Sequence, residues 1–203
     1  MRRLHAMLCC LALAGPVSAE RLDCPGGTQP EGQGPPDGRH QWCVDAEKRQ
    51  HGPSVAWDAH GTRRIEALFE RGSMEGPFRA WHANGKLAEA GGYQSDQKHG
   101  RWEAWYEDGA RLSVRDYREG ALHGDVKEWY PSGQLRYSEH YARGKRDGDA
   151  VAYWESGKKQ SEGRFRAGEY DGTWTGWYEN GAKRKVAEFE RGEKLSEEVF
   201  PAP

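Results

Sequence analysis

From His51 onward the chain repeats every 24 residues without a slip. One glycine recurs at Gly52, Gly76, Gly100, Gly124, Gly148 and Gly172, and a second at Gly61, Gly85, Gly109, Gly133, Gly157 and Gly181. An aromatic side chain recurs at Trp57, Trp81, Trp105, Trp129, Tyr153 and Trp177, and another at Phe69, Tyr93, Tyr117, Tyr141, Phe165 and Phe189. Six units in strict register define a repeat array, in which each unit buries its apolar side only against its neighbours. Residues repeated six times carry structure first, so the pattern favours a scaffold over an enzyme.

Within a unit, Gly76–His82 reads as a strand and Lys86–Tyr93 as a second strand, with Asn84-Gly85 between them. Asn-Gly, Asp108-Gly109 and Ser132-Gly133 suit a two-residue hairpin turn in which both central residues take positive φ. A looser turn such as Gly120–Gly124 then leads to the next unit. With no helix signal, the expectation is an all-β fold: an elongated array of about 12 antiparallel strands spanning roughly 60 Å at about 4.8 Å per strand. A two-residue turn sets Trp57 opposite Arg64, Trp81 opposite Ala88, Trp129 opposite Arg136 and Trp177 opposite Arg184. One face then carries indoles interleaved with guanidinium groups or small residues. The other carries Trp102, Tyr106 and Tyr117, or Trp174, Tyr178 and Phe189, beside small residues such as Ala104 and Gly176.

Composition agrees with a thin sheet. Only 35% of residues are hydrophobic and the mean hydropathy is -1.03, too polar for a thick core. Regular Gly, Trp and Tyr nonetheless argue against disorder. Residues 1–19 read as a secretory signal: Arg2 and Arg3 open it, Ala6–Ala14 is too short to span a bilayer, and Val17-Ser18-Ala19 offers a cleavage site before Glu20. Net charge is -2 for the whole chain, and the segment from Glu20 has 28 basic against 32 acidic residues, or -4. No nucleic-acid partner and no strong binding to a membrane surface are expected, since both favour basic patches.

The cysteines left after cleavage are Cys24 and Cys43, a lone pair expected to form a disulfide in an oxidising compartment. Without CxxC spacing, a metal or redox role is the weaker alternative. Residues 20–50 thus read as a disulfide-tied N-terminal cap, with Gln41–Val44 where the second strand of a preceding unit would lie. Residues 51–195 are the six units and 196–203 a C-terminal tail, because Ser196 stands where the next glycine is due.

The stretches Gly100–Gly109 and Gly172–Gly181, each Gly-x-x-x-x-Trp-Tyr-x-x-Gly and each followed eight residues on by Tyr117 or Phe189, resemble the MORN repeat, more closely its bacterial variant. Asp96, in place of the glycine found at Gly72, Gly120, Gly144, Gly168 and Gly192, departs from the pattern, as does Asp58 after Trp57. The resemblance implies a β-hairpin array and no catalytic residues. It also implies an interaction scaffold, or the antitoxin of a toxin–antitoxin system. Cys24–Thr28 with Trp42-Cys43 looks like the leader of some secreted bacterial relatives.

Other chemistry is sparse. His51, His99 and His123 alternate with Glu75, Asp147 and Asp171 before the unit glycines, but equivalent residues sit about 10 Å apart, too far for one metal. They read as polar turn residues, with no metal and no cofactor. Glu103, Glu107 and Asp108 lack the pocket that acid–base chemistry needs. Ser113, Ser138 and Ser161 show no nucleophile elbow and read as strand residues facing water. The candidate binding surface is the ladder Trp57, Trp81, Trp105, Trp129, Tyr153 and Trp177, since Trp, Tyr and Arg dominate interface hot spots. The expectation is an exported, periplasmic or secreted, non-catalytic scaffold for an unidentified protein partner. A toxin partner and a glycan such as a cell-wall polysaccharide are the alternatives.

Overall fold

The structure is a computed structural model that describes residues 22–202, so the signal-peptide reading of residues 1–19 lies outside the described residues. Fifteen strands follow one another: β1 (Gln29–Gln33), β2 (His40–Val44), β3 (Gln50–Trp57), β4 (Arg63–Glu70), β5 (Ser73–Trp81), β6 (Leu87–Gln94), β7 (Gln97–Trp105), β8 (Arg111–Arg118), β9 (Ala121–Trp129), β10 (Leu135–Ala142), β11 (Lys145–Tyr153), β12 (Lys159–Arg166), β13 (Glu169–Trp177), β14 (Lys183–Glu190) and β15 (Glu193–Val199). They form a single antiparallel sheet in which spatial order equals sequence order. The all-β hairpin array expected from the period is what the chain forms. β3–β14 make the six hairpins, β1 and β2 precede them, and β15 pairs with β14 beyond residue 195.

The two kinds of turn are exchanged relative to expectation. Asn84-Gly85 does not form a two-residue turn. The Gly85 amide donates to the His82 carbonyl at 3.0 Å, and the His82 amide to the Lys86 carbonyl at 2.9 Å. Of the loop residues only Gly85 has positive φ, 79°. This is a three-residue loop, a type I turn closed by a left-handed glycine, and it recurs at all six hairpins. The tight two-residue turn lies between units, where Glu119-Gly120 carries φ of 51° and 76° and Arg118 pairs with Ala121. Arg71, Ser95, Arg143, Ala167 and Arg191 hold the same left-handed position as Glu119.

The three-residue loop moves the register by one residue next to it. Trp57 pairs with Arg63, not Arg64; Trp81 with Leu87, not Ala88; Trp129 with Leu135, not Arg136; and Trp177 with Lys183, not Arg184. A bulge then absorbs the extra residue, and from Ala80↔Glu89 to Gly76↔Tyr93 the pairing is the expected one. The unit glycines serve a second irregularity. Between Tyr117↔Leu122 and Arg115↔Val126, one residue of β8 faces three of β9, and Gly124 takes φ of 104° within that bulge.

Successive units are stitched along both ends of their strands. At one end the Gly120 amide donates to the Lys98 carbonyl at 3.0 Å and the Gly144 amide to the Leu122 carbonyl at 2.8 Å, so each tight turn hangs on the one before it. His51, Glu75 and Asp147 accept amide bonds from Arg71, Ser95 and Ala167 there, which gives these three members of the polar row before the unit glycines a turn-binding role. Asp96 keeps the turn, with φ of 64°, and accepts the Met74 amide at 2.7 Å.

The two faces differ. The buried side chains Ala67, Trp102, Ser113, Val126, Ala150, Phe165 and Ala187 belong to one of them, while Val55 and Val114 are buried on the other. The first face is a thin core, and Ser113, expected to face water, is 1% exposed within it. Ser138 and Ser161 are half-buried. Depth there comes from flat contacts: Gly91 and Gly163 each lie under an indole, and a Cβ at either would stand 2.2 Å from Trp102 or Trp174. At the N-terminus the Cys24–Cys43 disulfide joins the leading segment to β2. Pro25 closes over Gly52, and Gly34 sits against the Trp57 ring.

Candidate binding surface

Each ladder residue is the last of its strand, immediately before a hairpin loop. The loop's bulge decides what faces it. It turns Arg136 to the opposite face, where Arg136 Nη1 lies 2.7 Å from Glu128 Oε1. Arg64 likewise turns away, toward Asp58 at 3.6 Å. The cations that do meet the ladder precede those by one position and reach the ring of the next unit: Arg63 over Trp81 at 6.0 Å, Arg111 over Trp129 at 5.5 Å and Lys159 over Trp177 at 5.8 Å. An indole–guanidinium ladder therefore exists with partners other than those the two-residue turn implied. Trp57, Trp81, Trp105, Trp129, Tyr153 and Trp177 are all half-buried. Trp57 is covered in part by Gly34, so the accessible run starts at Trp81.

The carbonyls of this row point toward the preceding unit, beyond the last ladder bond. A side chain from that unit meets each in turn. Arg64 Nε donates to Trp81 at 2.9 Å, His82 Nε2 to Trp105 at 2.8 Å, the Tyr106 hydroxyl to Trp129 at 2.7 Å, and the Tyr130 hydroxyl to Tyr153 at 3.0 Å. Tyr178 reaches the Phe200 carbonyl at 3.0 Å. Trp154 holds the equivalent place before Trp177, and its buried Nε1 has no partner. Burial first, then the Glu128 carboxylate, raises the Tyr106 phenol above its ordinary 10.0. Sequence reasoning grouped Tyr106 and Tyr178 with the aromatic face and missed this strapping role.

The opposite face holds two aromatic clusters. Phe78, Tyr93, Trp102 and Tyr117 pack with centroids 5.1–6.3 Å apart, and Lys98 Nζ stands 3.7 Å over Trp102. Phe165, Tyr170, Trp174 and Phe189 pack at 4.7–5.0 Å. Between them lies a charged stretch. Glu128 accepts from Arg136, Tyr137 and Arg115 at 2.7, 3.0 and 3.2 Å, and Glu139 accepts from Tyr141 and Arg146 at 2.9 and 3.1 Å. Among the described residues no group of three or more His, Cys, Asp or Glu side chains is placed to hold a metal ion.

Each hairpin thus runs from one tight turn to the next with a three-residue loop at its centre, and a known repeat has that frame. Three stretches match the MORN repeat variant. They are residues 74–94, 122–142 and 146–167, each starting just after a tight turn and ending at or just before the following one. The matches support reading the chain as a MORN-repeat protein. Among curated proteins none matches it. One solved structure found similar is a GtfA/B complex bound to UDP and GlcNAc, at 11% identity and a TM-score of 0.25. The match covers 75% of this chain and 27% of that one. The MORN repeat family is typically non-catalytic. The constant residues of the units are accounted for by turns, bulges and interleaved rings.

Proposed function

We propose that this protein is a non-catalytic, exported scaffold that binds a protein partner through the indole ladder. The observation that carries the reading is the ladder itself: from Trp81 onward a half-buried ring precedes each hairpin loop on one face of the sheet, with a cation over Trp81, Trp129 and Trp177. Aromatic and Arg side chains at regular spacing supply large, rigid contact area with polar handles. MORN repeats are in general scaffolds that bind proteins or membranes. The Cys24–Cys43 disulfide supports an oxidising compartment, as export would provide. No helix among the described residues is long and apolar enough to cross a membrane.

The test is affinity capture from periplasm and culture supernatant with the chain from Glu20 as bait, alongside Trp105→Ala and Trp129→Ala baits of unchanged circular dichroism. A saturable protein partner lost with the ladder variants is the expected result. A captured toxin would make the scaffold an antitoxin or immunity protein. Recovery of wall glycan alone, or a turnover abolished by replacing one carboxylate, would overturn the reading.

A further inference from the structure

Across the six units the position of Glu128 is otherwise small, Ala56, Ala80, Ala104, Ala152 or Gly176, and the fourth and sixth units differ in what a pair of donors faces there. In the fourth unit, Glu128 faces Arg136 and Tyr137 across the hairpin. Its side chain is only 14% exposed. Two units later the same three positions are Gly176, Arg184 and Lys185. The donors remain and the carboxylate is gone. In its place a cleft of about 460 Å³ opens, floored by Ser161 and Gly176, walled by Tyr170, Trp174 and Phe189, and bordered by Arg184, Lys185 and Lys194.

The charge at this cleft is unbalanced. Glu197 bridges Lys185 at 3.0 Å and Lys194 at 2.7 Å, so one carboxylate serves two ammonium groups. Arg184 is exposed and forms no ion pair with the described residues. The apolar wall is also unfinished: Tyr170, 42% exposed, is among the few large apolar side chains left open. Trp174 and Tyr170 meet edge to face, and Tyr170 and Phe189 stack. Their ring faces are thus already used on each other, which leaves a wall for an aliphatic or aromatic side chain rather than a platform for a pyranose.

We propose that this cleft binds an acidic peptide segment, its side-chain carboxylate taking the place that Glu128 fills in the fourth unit and an adjacent apolar side chain resting on Tyr170, Trp174 and Phe189. The carboxylate accepts from Arg184, and from Lys185 beside its bridge to Glu197, as Glu128 accepts from Arg136 and Tyr137, and charge-assisted bonds of this kind are short and strong. The site lies on the face opposite the indole ladder and stands independently of the function proposed for that ladder.

The probe is a fluorescein-labelled, end-blocked peptide alternating Glu and Phe, titrated by anisotropy against the full chain from Glu20. Saturable binding is expected, weakened about tenfold or more by Arg184→Ala, and absent for the same peptide with Gln in place of Glu. Arg136→Ala and Trp105→Ala leave it unchanged. Gly176→Glu is the decisive variant. Gly176 lacks positive φ and a Cβ there meets Arg184 only at 3.5 Å, so the side chain fits and supplies the carboxylate internally. It abolishes peptide binding while the melting temperature holds or rises. No saturable binding, equal affinity for the Gln peptide, binding that survives Gly176→Glu, or capture of an oligoglucuronate but not the peptide would each overturn the proposal.

Discussion

Tyr106, Tyr130 and Trp154 occupy one position in three successive units and do unequal work. The two phenols each satisfy a carbonyl of the following unit, whereas the Trp154 indole N–H is buried without a partner. Removing a hydroxyl that leaves a carbonyl unpaired costs about 1 kcal/mol or more, while a group with no partner has no bond to lose. Tyr106→Phe is therefore expected to lower stability in urea by about 1 kcal/mol, and Trp154→Tyr, which restores a hydroxyl aimed at the Trp177 carbonyl, to hold it or raise it. Three phenols set an alkaline limit. Tyr106, Tyr137 and Tyr141 are all raised above 10.0, burial being the first cause for each. A raised folded-state value favours the protonated native form, so that stability is complete below 10.0 and declines as pH climbs through the raised values. Urea midpoints should be flat up to about pH 9 and fall as pH climbs past 10.0, and no fall would contradict the burial of these rings. Little of this was legible beforehand. A tyrosine beside a loop reads equally well as core or strap until the bulge is known.

At the scale of the hairpin, fit between neighbours replaces a deep core. Where one unit presents Gly91 or Gly163, the next presents Trp102 or Trp174; where it presents Arg115 or Glu139, the next presents Val126 or Ala150. Adjacent glycines make the test. Gly91→Ala drives a methyl into Trp102 and should cost about 1–3 kcal/mol. Gly92→Ala meets only carbonyl oxygens at 3.5 Å or more, and should be neutral or stabilising by up to about 1 kcal/mol. Equal effects in thermal unfolding would refute the indole-over-glycine packing. The strand pattern and the 24-residue frame were readable because both follow from side-chain period and glycine spacing. The turn types were not. Arg71, Glu119 and Ala167 adopt left-handed φ at a cost of about 1 kcal/mol each, a choice no local propensity announces, since amide bonds to the preceding turn fix it. One clue was present: His60, Ser132 and Ser156 stand where Asn84 does, and they suit a loop in which only the following glycine needs positive φ.

Among the described residues, each strand pairs only with its sequence neighbours, so stability is local. The disulfide closes a loop of 19 residues at one end, a constraint of roughly 3 kcal/mol in the chain-entropy view. Cys24→Ser with Cys43→Ser should therefore release amide protection in β1–β3 while leaving β9–β14 unchanged, as hydrogen exchange would show. Uniform loss across the sheet would mean that the array unfolds as one unit. The far end stops for a different reason. Ser196 replaces the unit glycine, the wide bulge does not form, and Lys185 pairs with Val199 rather than with the residue after it. That one-residue slip became visible only with the register.

Because spatial order equals sequence order, the first and last strands lie at opposite edges of the sheet. A tether pulling on the two ends would load one strand's bonds at a time, in the manner of a zipper, rather than shearing many together. Each unit released would add up to roughly 80 Å of contour at about 3.4 Å per residue. Held between two anchors, such a chain would yield in even steps under modest force and so behave as an extensible spring.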